Sequence, residues 1–98
     1  MKVHWTDTAQ AHLDAIHAYI AQDSPHFAKR TVDQLTRRSQ QIAKFFFSGR
    51  RVPEYDIDPI REVIEGSYRI IVKSDQIDVL AVIHGAMDVF ETSGREKG

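Results

Sequence analysis

The sequence predicts an α+β fold in which an antiparallel helical hairpin packs against a small antiparallel sheet. Two amphipathic stretches, with apolar residues three and four positions apart, fill the first half of the chain. The second half changes to short runs of β-branched and apolar residues separated by turn signals, which is typical of a meander. With 98 residues, the chain is expected to form a single domain, residues 1–98.

The two helices are predicted from their capping residues and their apolar stripes. After a short strand at Val3-His4-Trp5, Thr6-Asp7 offers an N-cap and an acidic first turn for a helix that runs to about Gln22. Ser24-Pro25 predicts the start of a second helix, because serine caps it and proline suits its first turn. A turn this short favours an antiparallel hairpin. The stripes are Ala9, Leu13, Ile16 and Ile20, then Ala28, Val32, Leu35, Ser39, Ile42 and Phe46.

The second half is expected to contain a linker and three strands. Gly49 lies near the predicted end of the second helix, and Pro53 favours an extended linker from Arg50 to Tyr55. The polar tail, Thr92 to Gly98, is expected to be frayed. The predicted strands are Arg61 to Glu65, Tyr68 to Lys73 and Ile77 to His84.

A register for the meander follows if Ser74-Asp75 is a two-residue loop, because Lys73 then pairs with Gln76. One face of the sheet is then suited to the core: Tyr68, Ile70, Val72, Ile77, Val79, Ala81 and Ile83. The other face is expected to carry the charges around Ile71, Leu80 and Val82: Arg61, Glu65, Arg69, Lys73, Asp78 and His84. This register predicts that Arg61, Arg69 and His84 share the outer face.

Arg61 and Arg69 are the first candidates for a binding site. If they are diagonal neighbours about 8 Å apart, two guanidinium groups could hold one phosphate or carboxylate. The alternative is that they pair with Glu65 and Asp78 as ordinary outer-face ion pairs. His84 would lie about 13 Å along the strands, too far to act on the same group, which favours a structural or contact role.

Glu54 lies in the linker beside two arginines and leaves two interpretations open. With Asp56 and Asp58 it could simply neutralise Arg50 and Arg51, or it could act as a general base. No metal or cofactor is expected. In particular, His12 and His17 are five residues apart and miss the four-residue spacing of a helical zinc pair.

The overall composition excludes several classes of protein. A formal net charge of −1 argues against a general nucleic-acid coat, so any basic site must be a local patch. The N-terminus lacks the apolar region of a signal peptide, and no apolar stretch approaches the length of a membrane span. The lack of cysteine suits a reducing compartment. The cytoplasm is the expected location, with no membrane partner.

The order of these elements resembles the RelE/ParE superfamily of toxins from bacterial type II toxin–antitoxin systems. The resemblance covers nearly the whole chain, and its linker and meander are more similar to the ParE-like branch. The strings that carry it are Trp5-Thr6, Ser48-Gly49-Arg50-Arg51-Val52-Pro53-Glu54, Ile60-Arg61-Glu62-Val63, Tyr68-Arg69-Ile70-Ile71 and Ile83-His84-Gly85-Ala86.

The resemblance implies a toxin of the plasmid-stabilisation type that inhibits its target by binding, with DNA gyrase as the expected target. It also implies a cognate antitoxin, whose C-terminal segment folds on the toxin to form a hetero-oligomer. The residues expected to contact the target or the antitoxin are Arg50, Arg51, Arg61, Arg69 and Met87. Met87 stands where many relatives have arginine, and Val72 where they have tyrosine.

Two alternatives remain open at this stage. A RelE-like toxin would be an endoribonuclease acting on ribosome-bound mRNA, with Arg61 and Arg69 stabilising the transition state and Glu54 or His84 moving a proton. A detoxified relative would retain antitoxin binding alone, which the departure at Met87 would explain.

Overall fold

The computed structural model describes residues 3–45, 49–55, 57, 59–74 and 77–85, and in these ranges it has the predicted α+β architecture. The elements are β1 (His4–Trp5), α1 (Asp7–Ala21), α2 (Pro25–Lys44), β2 (Arg50–Arg51), β3 (Ile60–Glu65), β4 (Tyr68–Lys73) and β5 (Asp78–His84). They form one sheet in the order β1-β5-β4-β3-β2, in which only β1 is parallel to its neighbour. Arg50 and Arg51, expected in a linker, instead form the edge strand β2. Across the described ranges, no helix is both long and apolar enough to span a bilayer.

The helix starts are confirmed residue by residue. The Thr6 hydroxyl accepts a hydrogen bond from the Ala9 amide at 3.1 Å, and the Ser24 hydroxyl accepts one from Phe27 at 3.1 Å. Pro25 lies in the first turn of α2, where a backbone amide would have no acceptor within the helix. Proline therefore costs the helix no hydrogen bond at this position.

Gly49 does not cap α2, which ends at Lys44. Its role is close packing between α2 and β3. A Cβ atom at this position would lie 3.0 Å from the Glu62 carbonyl oxygen and 3.2 Å from Ile42 Cδ1. Any larger side chain would therefore push the chain away from the sheet.

The predicted strand register is wrong at both turns of the meander. Gly66 and Ser67 form a two-residue turn, with Gly66 at φ +60°, so Glu65 pairs directly with Tyr68 and lies on the same face. At the next turn Lys73 pairs with Asp78, where Gln76 was expected. Asp75 and Gln76 themselves lie outside the described residues. Ile77 takes a positive φ of 56°, which a β-branched side chain rarely adopts, and its burial in the core holds it there.

A β-bulge between Ile71 and Val72 changes which side chains of β5 face the helices. Val72 pairs with Val79, but Ile71 pairs with Ala81, so one extra residue of β5 is inserted at Leu80. The alternation along β5 is therefore inverted after the bulge. Val82 and His84 lie on the helix side, and Ala81 and Ile83 lie on the opposite side, contrary to the predicted faces.

Two apolar clusters result, one on each face of the sheet. The larger lies between the helices and the sheet: Ala9, Leu13, Leu35, Ile42, Val63, Ile70, Val72, Ile77, Val79 and Val82. The smaller lies on the opposite face: Val52, Ile60, Ile71, Ala81 and Ile83. Ile70 is fully buried under the helices and Arg69 projects to the other side, as predicted. Phe46, Met87 and the tail from 92 to 98 lie outside the described residues.

Candidate functional site

The sheet face opposite the helices contains a buried charged cluster centred on Arg69. Arg69 Nη1 and Nη2 donate to the two Glu54 carboxylate oxygens at 2.9 and 2.7 Å, and its Nε donates to Glu62 Oε1 at 2.7 Å. The other oxygen of Glu62 accepts from Arg50 Nε. Two guanidinium groups and two carboxylates are thus linked in one chain of ion pairs, which has no net charge. We call these four residues, Arg50, Glu54, Glu62 and Arg69, the outer-face cluster.

Burial makes this cluster different from a surface ion pair. Glu62 is fully buried and Arg69 is only 6% exposed, within an otherwise apolar surround. The hydrogen bonds to Glu54 raise the pKa of the Arg69 guanidinium most, burial opposes them, and Glu62 raises the pKa further. Arg69 is therefore a permanently charged clamp that ties β4 to β3 and to the segment containing Glu54.

Arg61 lies on the other side of the sheet. It pairs directly with Val72, whose side chain is in the core beneath the helices, and directly opposed residues of an antiparallel pair share a face. Its Nη1 donates to the Gly49 carbonyl oxygen at 3.1 Å. The prediction that Arg61 and Arg69 share the outer face and bind one anion is wrong. The turn between Glu65 and Tyr68 places each side chain of β3 on the face opposite to the predicted one.

His84 is also on the helix side, because the β-bulge inverts the end of β5. It pairs with Tyr68, and the two rings meet edge to face with centroids 6.1 Å apart. Its predicted place on the outer face is wrong. The residues named for a ribonuclease are consequently divided: Glu54 and Arg69 lie together on the outer face, while Arg61 and His84 lie on the other.

The expected ion pairs of the outer face also have different partners. Glu65, proposed as a partner of the arginines, lies 3.6 Å from Arg38 of α2 on the helix side. Asp78 contacts His4 of β1 at 3.1 Å. Glu54 does neutralise an arginine, but the one observed is Arg69, where Arg50 and Arg51 were expected. Asp56, Asp58 and Met87 lie outside the described residues.

An apolar groove runs between α1 and the edge of β5. Among the described residues, β1 pairs with Asp78 and Val79, and the later part of that edge faces α1, where His12 Nδ1 accepts a hydrogen bond from the Val82 amide at 3.2 Å. The groove has a volume of about 320 Å³. Tyr19 stands at its rim and is 74% exposed. Its wall residues include Ile16, Tyr19, Tyr68, Val82 and His84, and we call it the α1–β5 groove.

Sequence reasoning missed two features of these surfaces. The sequence does not mark Glu62 as a buried residue of the outer face, because the set Ile60, Glu62 and Ile64 is no more apolar than the set Arg61, Val63 and Glu65. The sequence also predicts charges on the exposed face of α2, but the excess of positive charge from Lys29 to Lys44 was not recognised as a feature of its own.

Comparisons with known proteins place this fold. A search of curated proteins found no match. Among the solved structures, a chain of the chromosomal ParDE TA system from P. aeruginosa is similar in fold, with a TM-score of 0.68 and 20% sequence identity. The match covers 86% of this chain and 95% of that one. A model of the ParE toxin of type II toxin–antitoxin systems, parDE, matches residues 3–89. A match over this span shows that the chain belongs to the ParE toxin family of type II toxin–antitoxin systems.

Proposed function

We propose that this ParE-family toxin inhibits DNA gyrase by stoichiometric binding in the cytoplasm and is neutralised by a cognate antitoxin. Membership of the family supports the toxin and its place in a toxin–antitoxin pair. The gyrase target is the further step, and it follows from the ParE-like character of the linker and the meander. Plasmid stabilisation would be the consequence of pairing such a toxin with a shorter-lived antitoxin.

The outer-face cluster is the observation that favours binding over catalysis. A ribonuclease needs a proton-transfer group and a cation that reach the same phosphate. Here Arg69 and Glu54 satisfy each other with two hydrogen bonds, while His84 lies across the sheet. A substrate phosphate would have to displace a buried carboxylate before it could reach Arg69. This division of the groups supports a toxin without turnover.

The edge strand β2 supplies the cations that are best placed to contact a target. Arg50 and Arg51 are both exposed, whereas Arg69 is buried and Arg61 is half-buried against the Gly49 carbonyl. We therefore propose Arg50 and Arg51 as the main contacts to acidic groups of the target, with Met87 as a further contact carried over from the family pattern. Arg61 and Arg69 would position the strands that carry them.

The α1–β5 groove is the surface that we propose for the antitoxin. Its apolar lining, and the edge of β5 that pairs with no described strand beyond Val79, suit a segment that folds on binding, either as an amphipathic helix or as an added strand. Tyr19 would then be buried by the partner, which accounts for an aromatic side chain left largely in water in the chain alone. The toxin and antitoxin together would form a hetero-oligomer.

Two assays run side by side test this function. Purified toxin should inhibit gyrase supercoiling of plasmid DNA and leave ribosome-bound mRNA intact, and the product of the adjacent reading frame should restore supercoiling. Cleavage of the mRNA with normal supercoiling would favour the RelE-like alternative. If neither activity is seen, Met87→Arg separates the remaining cases: a gain of inhibition would support the gyrase proposal, and no gain would point to a detoxified antitoxin-binding relative.

A further inference from the structure

The outer face of α2 is strongly basic in a chain that is slightly acidic overall. This helix contains five of the thirteen Lys and Arg residues and one of the fourteen Asp and Glu residues, so its net charge is +4 against −1 for the whole chain. The neighbouring α1 contains two aspartates and no lysine or arginine. The positive charge is thus concentrated on one element and is not neutralised along the hairpin.

Three of these cations form a straight stripe along the helix. Arg30, Arg37 and Lys44 are seven residues apart, which returns each to nearly the same angle after two turns and separates neighbours by about 10 Å along the axis. All three are exposed. Within the described part of the chain, none of the three has a carboxylate within ion-pair distance, whereas Lys29 pairs with Asp33 and Arg38 lies near Glu65.

The surroundings of the stripe are polar. Arg37 lines two neighbouring hollows, of about 350 and 180 Å³. Gln34 lines both hollows, and Gln41 lines the second. The exposed large apolar side chains on this helix and its C-cap, Phe27 and Phe45, lie near its ends. A protein partner would need apolar anchors at the centre of its interface, whereas nucleic-acid interfaces are polar and positively charged.

We propose that the outer face of α2 binds the phosphate backbone of duplex DNA through Arg30, Arg37 and Lys44. Charge complementarity and the absence of a central apolar anchor favour a polyphosphate over an acidic protein. Duplex DNA is favoured over duplex RNA because the B-form major groove admits an α-helix, whereas the A-form groove is deep and narrow. This inference is independent of gyrase as the target, since it concerns contact with DNA alone.

The test uses fluorescence anisotropy to measure binding of the 98-residue chain to a labelled duplex DNA of about 20 base pairs. With three phosphate contacts, the affinity should fall about 40-fold between 50 and 200 mM salt. The variant Arg30→Gln, Arg37→Gln, Lys44→Gln should bind about 10-fold more weakly at 50 mM salt. Glutamine retains helix propensity, and thermal unfolding followed by circular dichroism checks that the fold is kept.

A matched control removes the same charge from outside α2. The variant Lys2→Gln, Lys73→Gln, Lys97→Gln should bind DNA within about two-fold of the wild type, because the phosphate contacts are on the helix. If the variant with three substitutions in α2 does not fold, Arg37→Gln alone should still reduce the slope of log affinity against log salt concentration by about 1, the value for one phosphate contact.

Several results would overturn the inference. It fails if the wild-type protein does not bind the duplex at 50 mM salt, or if the control variant loses as much affinity as the helix variant. It also fails if polyglutamate displaces the labelled duplex as well as unlabelled DNA of the same total charge does, since the face would then suit acidic proteins equally. Equal or tighter binding of a duplex RNA of the same sequence would overturn the assignment to DNA.

Discussion

Arg69 shows how a side chain that looks like a binding residue in the sequence can instead stabilise the fold. Its planar guanidinium has hydrogen-bond donors on Nε, Nη1 and Nη2. Glu54 accepts from both Nη atoms, and Glu62 accepts from Nε. A buried carboxylate such as Glu62 is costly unless it is paired, so removing Arg69 should leave an expensive unpaired charge inside the protein.

We therefore predict that Arg69→Gln destabilises the protein by about 3 kcal/mol, because Glu62 and Glu54 both lose their shared partner. The free energy of unfolding is measured by urea denaturation. Arg50→Gln is the matched control: it removes the same charge from the same cluster, but the Arg50 side chain is 66% exposed, so its loss should cost less than about 1 kcal/mol. Equal effects of the two substitutions would contradict the clamp role of Arg69.

Of the two partners of Arg69, only Glu62 could have been placed from the sequence. Glu54 is fifteen residues away, and its approach depends on how the segment before β3 folds over the outer face. Glu62 is on the same face only because Glu65 pairs with Tyr68 across the Gly66-Ser67 turn. That turn is a recognisable signal, and applying the two-residue rule to it would have placed Arg61 on the helix side.

The elements were predictable to different degrees. Both helices begin where their capping residues indicate, because Thr6 and Ser24 satisfy amide groups locally, whatever the rest of the fold does. The strands exist where expected, but their register depends on a bulge at Leu80 and on the pairing of Lys73 with Asp78. Nothing in the local sequence distinguishes these features from a regular two-residue hairpin. The side chains near the bulge are all apolar and could be buried on either face of the sheet: Ile71, Val72, Val82 and Ile83.

The bulge also shapes the α1–β5 groove, because it turns Val82 and His84 toward α1. An exposed aromatic at the rim of such a groove is a typical energetic centre of a protein interface. We predict that Tyr19→Ala weakens antitoxin binding by about 2 kcal/mol, roughly 30-fold, as measured by isothermal titration calorimetry. The melting temperature of the toxin alone should change little, since Tyr19 is 74% exposed.

The control for this prediction is Phe45→Ala, which removes another largely exposed aromatic, 67% accessible, at the far end of α2. Antitoxin affinity should remain within about two-fold of the wild type. If both variants bind the antitoxin normally, the α1–β5 groove is not the docking surface. If both lose affinity equally, the antitoxin covers far more of the hairpin than the groove.

At the scale of the whole molecule, three surfaces have separate physical characters. The helix side has an apolar groove at the β5 edge, and the outer face of α2 is basic and polar. The opposite face of the sheet has the outer-face cluster, a neutral set of ion pairs that is buried at Arg69 and Glu62 and ends at the exposed Arg50 of β2. This separation would let one small domain contact an antitoxin, DNA and a protein target without competition for the same residues.

We propose that the toxin acts by occupying its target and not by turnover. The most direct measurement is a titration of a fixed amount of gyrase with increasing toxin, with supercoiling read at several incubation times. Binding predicts that inhibition saturates at a defined molar ratio of toxin to gyrase and does not grow with time. Inhibition that continues to increase at substoichiometric toxin, or its absence at a large molar excess, would contradict the claim.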